Sequence, residues 1–165
     1  MTIEERLQRL EDDREIRDLK ARYLRACDNQ QADEVRDCLL PDARIRFEGF
    51  PDFDSRDDFV AIYRELGCVP GVFDIHHSAN GVLNFDGPTR ATGKWSLLFH
   101  NINLGQKMLT QFGIEYDDVY LKRDARWWIA ETASRRKSAL VHAVDDAGNA
   151  RIVAMGEATG AFGEG

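Results

Sequence analysis

From Ile75 to Met155 the chain reads as a series of extended segments closed by turn residues, and this limits its possible folds more than any other feature. Ile75–Phe85 ends at Asp86-Gly87, Arg90–Asn103 alternates through Trp95, Leu97 and Phe99, and Met108–Lys122 runs to the turn at Arg123–Ala125. Trp127–Lys137 continues the pattern and is expected to end near the polar pair Lys137-Ser138. A last strand through Arg151–Met155 is expected after the Asp145–Asn149 turn.

The region before Ile75 has helical spacing instead. Thr2 followed by Glu5 has the spacing of a capping box, and Ile3, Leu7, Leu10, Ile16, Leu19, Tyr23 and Cys27 then recur mostly at three- and four-residue steps. A short helix is expected from Ala32 to Leu40, stopped by Pro41-Asp42, with a strand over Ala43–Glu48. Ser55 and Asp58 open a third helix that places Phe59, Ile62 and Leu66 on one face and ends at Gly67. Three helices and four to five long antiparallel strands, segregated along the chain, predict the α+β class: a cone-like curved antiparallel sheet packed against three N-terminal helices. The 165 residues suit a single domain, expected over residues 1–156, with a flexible Gly-rich tail over 157–165.

A net charge of −7 and a pI near 5.1 repel nucleic-acid phosphates and anionic lipid, so neither partner is expected. No stretch approaches the roughly 18 apolar residues of a membrane span, and the acidic start MTIEERLQRLEDD lacks the basic and apolar run of a secretory signal, so a cytoplasmic location is expected. Cys27, Cys38 and Cys68 lack CxxC spacing and read as reduced core thiols. No HExxH, paired HxH, GxGxxG or Walker-type loop is present, so no metal and no cofactor are expected.

The element order, together with EIRDLKARYLRACD, LLPDARIRFEG, HHSAN, ATGKW and YDDVYLKRDARWWIAET, resembles the SnoaL-like, nuclear-transport-factor-2-like families over residues 10–138. The resemblance implies a fold that hosts dehydratases, isomerases, cyclases, dehydrohalogenases and plain binding or assembly subunits. The branches of bile-acid 7-alpha-dehydratase, hexachlorocyclohexane dehydrochlorinase and scytalone dehydratase are similar in pairing a carboxylate at the end of the first helix with a histidine on the strand after the third. Carried onto this sequence, the pair is Asp28 and His76, with Tyr23 pointing into the same pocket and an arginine at Arg135 or Arg136, Arg136 being the choice. The further acidic residue of the bile-acid branch falls near Phe99, which leaves that role empty or moved to His100. The dehydratase-like branches also imply a homo-oligomer, a trimer in preference to a dimer.

Tyr23 and Asp28 stand about 140° apart on a continuous helix, so both face one cavity only if the helix breaks near Asn29. Asp28 either forms an Asx turn or holds the Nδ1–H of a histidine, leaving Nε2 to take a proton. His76 and His77 point to opposite faces of their strand, and the His76-to-Asn80 register selects His76. His100 alternates with Trp95, Leu97 and Phe99, so its face is open at this point. Arg135 and Arg136 also point oppositely, one as a surface ion-pair residue and the other toward developing negative charge. Trp95, Phe99, Asn80, Phe112 and Tyr116 are the expected substrate-binding residues. Two functions fit: a cofactor-independent lyase or isomerase acting on a small hydrophobic ring compound, or a non-catalytic ligand-binding or dioxygenase-beta-subunit-like assembly protein.

Overall fold

A computed structural model describes residues 1–156; the tail expected over 157–165 lies outside the described residues. The elements are α1 (Ile3–Asp28), α2 (Ala32–Cys38), β1 (Leu39–Phe47), α3 (Arg56–Leu66), β2 (Val72–Phe85), β3 (Arg90–Asn103), β4 (Met108–Arg123), β5 (Arg126–Val144) and β6 (Ala150–Gly156). Both capping signals form. Thr2 and Glu5 make the reciprocal box, and Ser55 Oγ accepts from the N–H groups of Asp57 and Asp58, each cap contributing about 1 kcal/mol.

The strands run β1-β5-β4-β3-β2, and β6 also pairs with β5. The sheet is mixed: β2 to β6 pair antiparallel, while β1 lies parallel to the first half of β5, from Leu39–Ile129 to Phe47–Ser134. β6 takes the second half of β5, between Ala139 and Val144. β5 therefore continues well past the end expected near Lys137. Both Lys137 and Ser138 are exposed, so their polarity is compatible with an uninterrupted strand. Register shifts at Ala79–Val82, Gly113–Ile114, Val119–Tyr120 and Val141–His142 bend the sheet around the helices.

The core lies between the helices and the concave face of the sheet. Ile16, Leu19, Tyr23, Leu24 and Cys27 of α1 pack into it against Ala91, Trp95, Leu97, Tyr116 and Tyr120. Ile3, Leu7 and Leu10 follow the same spacing but are exposed, because the first turns of α1 extend beyond the sheet. Leu66 is likewise exposed, and α3 buries Phe59 and Val60 instead of the full expected stripe. On the outer face Phe73, Ile75, Leu98 and Ile152 are exposed. Among the described residues no helix is long and apolar enough to cross a membrane.

Candidate functional site

Asp28 closes α1, and the chain breaks immediately after it. The Asn29 N–H and Nδ2 both donate to the Arg25 carbonyl, at 3.0 and 2.9 Å, Gln30 takes φ 56°, and the Gln31 N–H returns to the Ala26 carbonyl. Gln30 Nε2 then donates to the carbonyls of Val69 and Val72, tying the helix end to the start of β2. This anchoring brings the Asp28 carboxylate to His76. Asp28 Oδ1 accepts the His76 backbone N–H at 3.0 Å and stands 2.6 Å from His76 Nδ1, so the side chain serves β2 and not a local turn. A carboxylate offers acceptors only, so a neutral imidazole in this position carries its proton on Nδ1 and its lone pair on Nε2. The side chains of His76 and Asp28 remain 15 % and 22 % exposed.

Sheet register sets the remaining groups around this pair. His76 lies opposite Phe99 and Phe99 opposite Phe112, so the three share the concave face. The His76 and Phe99 ring centroids are 4.8 Å apart, Phe99 stacks on Phe112 at 6.1 Å, and the Arg136 guanidinium lies 5.4 Å from the Phe112 ring centroid. The row therefore runs across four strands, from an imidazole through two rings to an arginine. The Arg136 side chain is 11 % exposed, its Nε has no hydrogen-bond partner among the described residues, and the guanidinium stands 3.7 Å from Glu48 Oε1. Arg135 points outward, 57 % exposed and paired with Glu115. The structure thus separates the two arginines by face.

Several expected residues lie elsewhere. His100 pairs with Ile75 and Gln111, one step out of phase with Phe99, and so occupies the face opposite His76; alternation removes it from the site. Asn80 is exposed with φ 52° in the bulge of β2, where it serves the bend. Trp95 shares the concave face but sits four residues along β3 from Phe99. Its ring packs where Cβ atoms on Gly81 and Gly93 would stand, and its Nε1 donates to the Tyr120 hydroxyl at 3.1 Å, which makes it core and not site lining. His142 is half-buried in the second half of β5.

Tyr23 is only 2 % exposed, and Tyr116 is buried beside it over the Lys20 ammonium. Burial, followed by the fields of Cys27, Tyr116 and Asp118, pushes the Tyr23 phenol well above its ordinary range. Such a group is a poor acid but still donates a hydrogen bond, so of the two parts open to Tyr23, protonating the leaving hydroxyl or enolate or hydrogen-bonding it, burial disfavours the first. The rings of Tyr63, Phe59, Phe47 and Tyr116 contact one another in sequence and fill the space between α3 and the sheet. Two hollows, of about 460 and 670 Å³, lie along the sheet, and neither lining includes Asp28 or His76. The larger touches Phe99 and Phe112 but otherwise follows Ile75, His77, Leu98 and His100.

Three polar clusters were not recognised from the sequence. Lys20 Nζ stands 2.7 Å from Asp118 Oδ2, both side chains at most 1 % exposed, an ion pair without hydrogen-bond geometry. The same Oδ2 accepts the Tyr120 hydroxyl, while Asp118 Oδ1 has no partner among the described residues. Asp12 accepts from Lys122 and from Trp127 Nε1, at 2.7 and 2.8 Å; burial raises its carboxyl, but the two donors and the lysine charge bring it below the usual range. Asp74, two residues before His76, accepts the Asn101 amide at 2.6 Å.

Residues 8–133 match the SnoaL-like domain. The chain belongs to the SnoaL-like family. Solved structures with a similar fold include a candidate scytalone dehydratase from Novosphingobium aromaticivorans, 17 % identical with a TM-score of 0.74 over 80 % of this chain and 88 % of that one. A hexachlorocyclohexane dehydrochlorinase from Novosphingobium barchaimii is 20 % identical, with a TM-score of 0.71 over 81 % and 91 % of the two chains. An NTF2-like protein with a cystatin-like fold, also from Novosphingobium aromaticivorans, is 20 % identical, with a TM-score of 0.67 over 80 % and 86 %. At these identities the likeness is one of fold.

Proposed function

We propose that this SnoaL-like protein is a cofactor-independent lyase or isomerase that removes a proton from carbon in a small hydrophobic ring compound. The observation that carries this reading is the 2.6 Å approach of Asp28 Oδ1 to His76 Nδ1, because it fixes the tautomer and presents Nε2 as a base. Phe99 supplies a flat apolar surface beside the imidazole, and Phe112 extends it. Arg136, largely buried and weakly paired, steadies the negative charge that develops on an enolate or leaving group. Dehydratases and dehydrochlorinases among proteins of the same fold support the reaction class.

A ligand-binding or assembly role is the second reading, favoured by the absence of Asp28 and His76 from the two hollows along the sheet. One experiment separates the two. Steroids, hydroxylated aromatics and chlorinated rings, hexachlorocyclohexane among them, are screened in D₂O for thermal stabilisation of the protein and then for chemistry. At least one stabilising compound is expected to lose water or hydrogen chloride, or to take up deuterium at carbon. Stabilisation with no loss and no exchange would move the protein to the binding reading.

The exposed Phe73, Ile75, Leu98 and Ile152 favour an assembly in which further copies cover the outer face of the sheet, as a trimer. Light scattering should return three times the chain mass, and a monomer would remove the proposal.

A further inference from the structure

The proposed elimination needs a proton donor, and burial makes Tyr23 a poor one. A second carboxyl group stands on the strand of His76. Asp74 precedes His76 by two residues on β2, so both side chains leave the same face about 7 Å apart along the strand. Asp74 lies opposite Asn101 in the register, and Asn101 Nδ2 donates to its Oδ1 at 2.6 Å, fixing one oxygen and leaving the other free.

We propose that Asp74 is the acid partner of the dyad: it gives its proton to the departing oxygen while His76 takes a proton from carbon. This rests on the elimination reading above. The step balances within the substrate and two side chains. The C–H electron pair becomes the new carbon–carbon double bond, and its proton goes to His76 Nε2. The C–O bond breaks onto oxygen, which takes the Asp74 proton and leaves as water. Proton return from the imidazolium to the Asp74 carboxylate then resets both groups.

The surroundings of Asp74 suit that task. Burial raises its carboxyl above the usual range, and the Asp28 charge adds to this; the Asn101 hydrogen bond and His76 oppose it without reversing it. The titratable groups that act on it are His76 on its own strand and Asp28 from α1, and its own charge in turn acts on Tyr63 from α3. A positive charge arriving on His76 lowers the Asp74 carboxyl, so carbon deprotonation makes the neighbouring acid stronger when the leaving group needs it.

The test needs no substrate. The full chain, labelled with ¹³C at its aspartate carboxyls, is titrated by NMR, with Asp74→Asn identifying the resonance. The Asp74 midpoint should lie above those of exposed aspartates such as Asp18 and Asp146. Asn101→Ala should move it further up, because a donor to the ionised form is lost. A midpoint at or below the exposed aspartates, or one unmoved by Asn101→Ala, overturns the assignment. Failure of the elimination reading shows separately, as absence of deuterium uptake and product, whatever Asp74 does.

Discussion

Replacing Lys20 with methionine is expected to lower stability by about 3–5 kcal/mol, since it removes one partner of a buried ion pair and leaves the other charge uncompensated. For a chain of this length that corresponds to a fall in Tm of roughly 6–20 °C. Methionine keeps most of the volume of the lysine stem, so the loss reports the charge and not a cavity. Asp118 is left with the Tyr120 hydroxyl on Oδ2 and, among the described residues, nothing on Oδ1. The double variant Lys20→Met/Asp118→Asn should recover part of the loss, because the uncompensated charge is gone while the amide oxygen can still accept the Tyr120 hydroxyl. Denaturation of wild type, Lys20→Met and the double variant measures this. A Lys20→Met loss no larger than that of an exposed pair such as Arg14–Asp18 would show that Lys20 is not held as a buried charge.

The same residues show what the sequence made legible. Caps at Thr2 and Ser55, the turns at Asp86-Gly87 and Asp145–Asn149, and the alternation through Trp95 and Phe99 are local signals, and the strands and helices follow them. The parallel docking of β1 on β5 is set by packing over 80 residues of separation, and no local pattern encodes it. Lys20 and Asp118 did carry a signal: each is a charge inside an apolar series, Lys20 between Ile16 and Tyr23 and Asp118 between Tyr116 and Tyr120. Starting β2 at Ile75 left Asp74 in a loop, whereas the strand starts at Val72 and brings it onto the face of His76. His100 and Arg136 depended on which face is concave, and only the helices covering that face decide it.

Replacing His76 with alanine is expected to reduce turnover by about 10²–10⁴-fold, the usual contribution of a positioned general base. Its ring is partly exposed and makes one side-chain hydrogen bond, so folding should persist, as circular dichroism and thermal unfolding would show. Asp28 then separates orientation from fold. In Asp28→Asn the amide oxygen can still accept the His76 backbone N–H, yet the negative charge that stabilises an imidazolium is gone, so kcat should fall with little change in stability. In Asp28→Ala that partly buried N–H also loses its partner, adding a stability loss of about 1–3 kcal/mol. Rates on the compound returned by the D₂O screen, set beside unfolding curves for the three variants, measure both quantities. Wild-type turnover in His76→Ala would exclude the imidazole as the base, because no other histidine shares its face next to a carboxylate from α1.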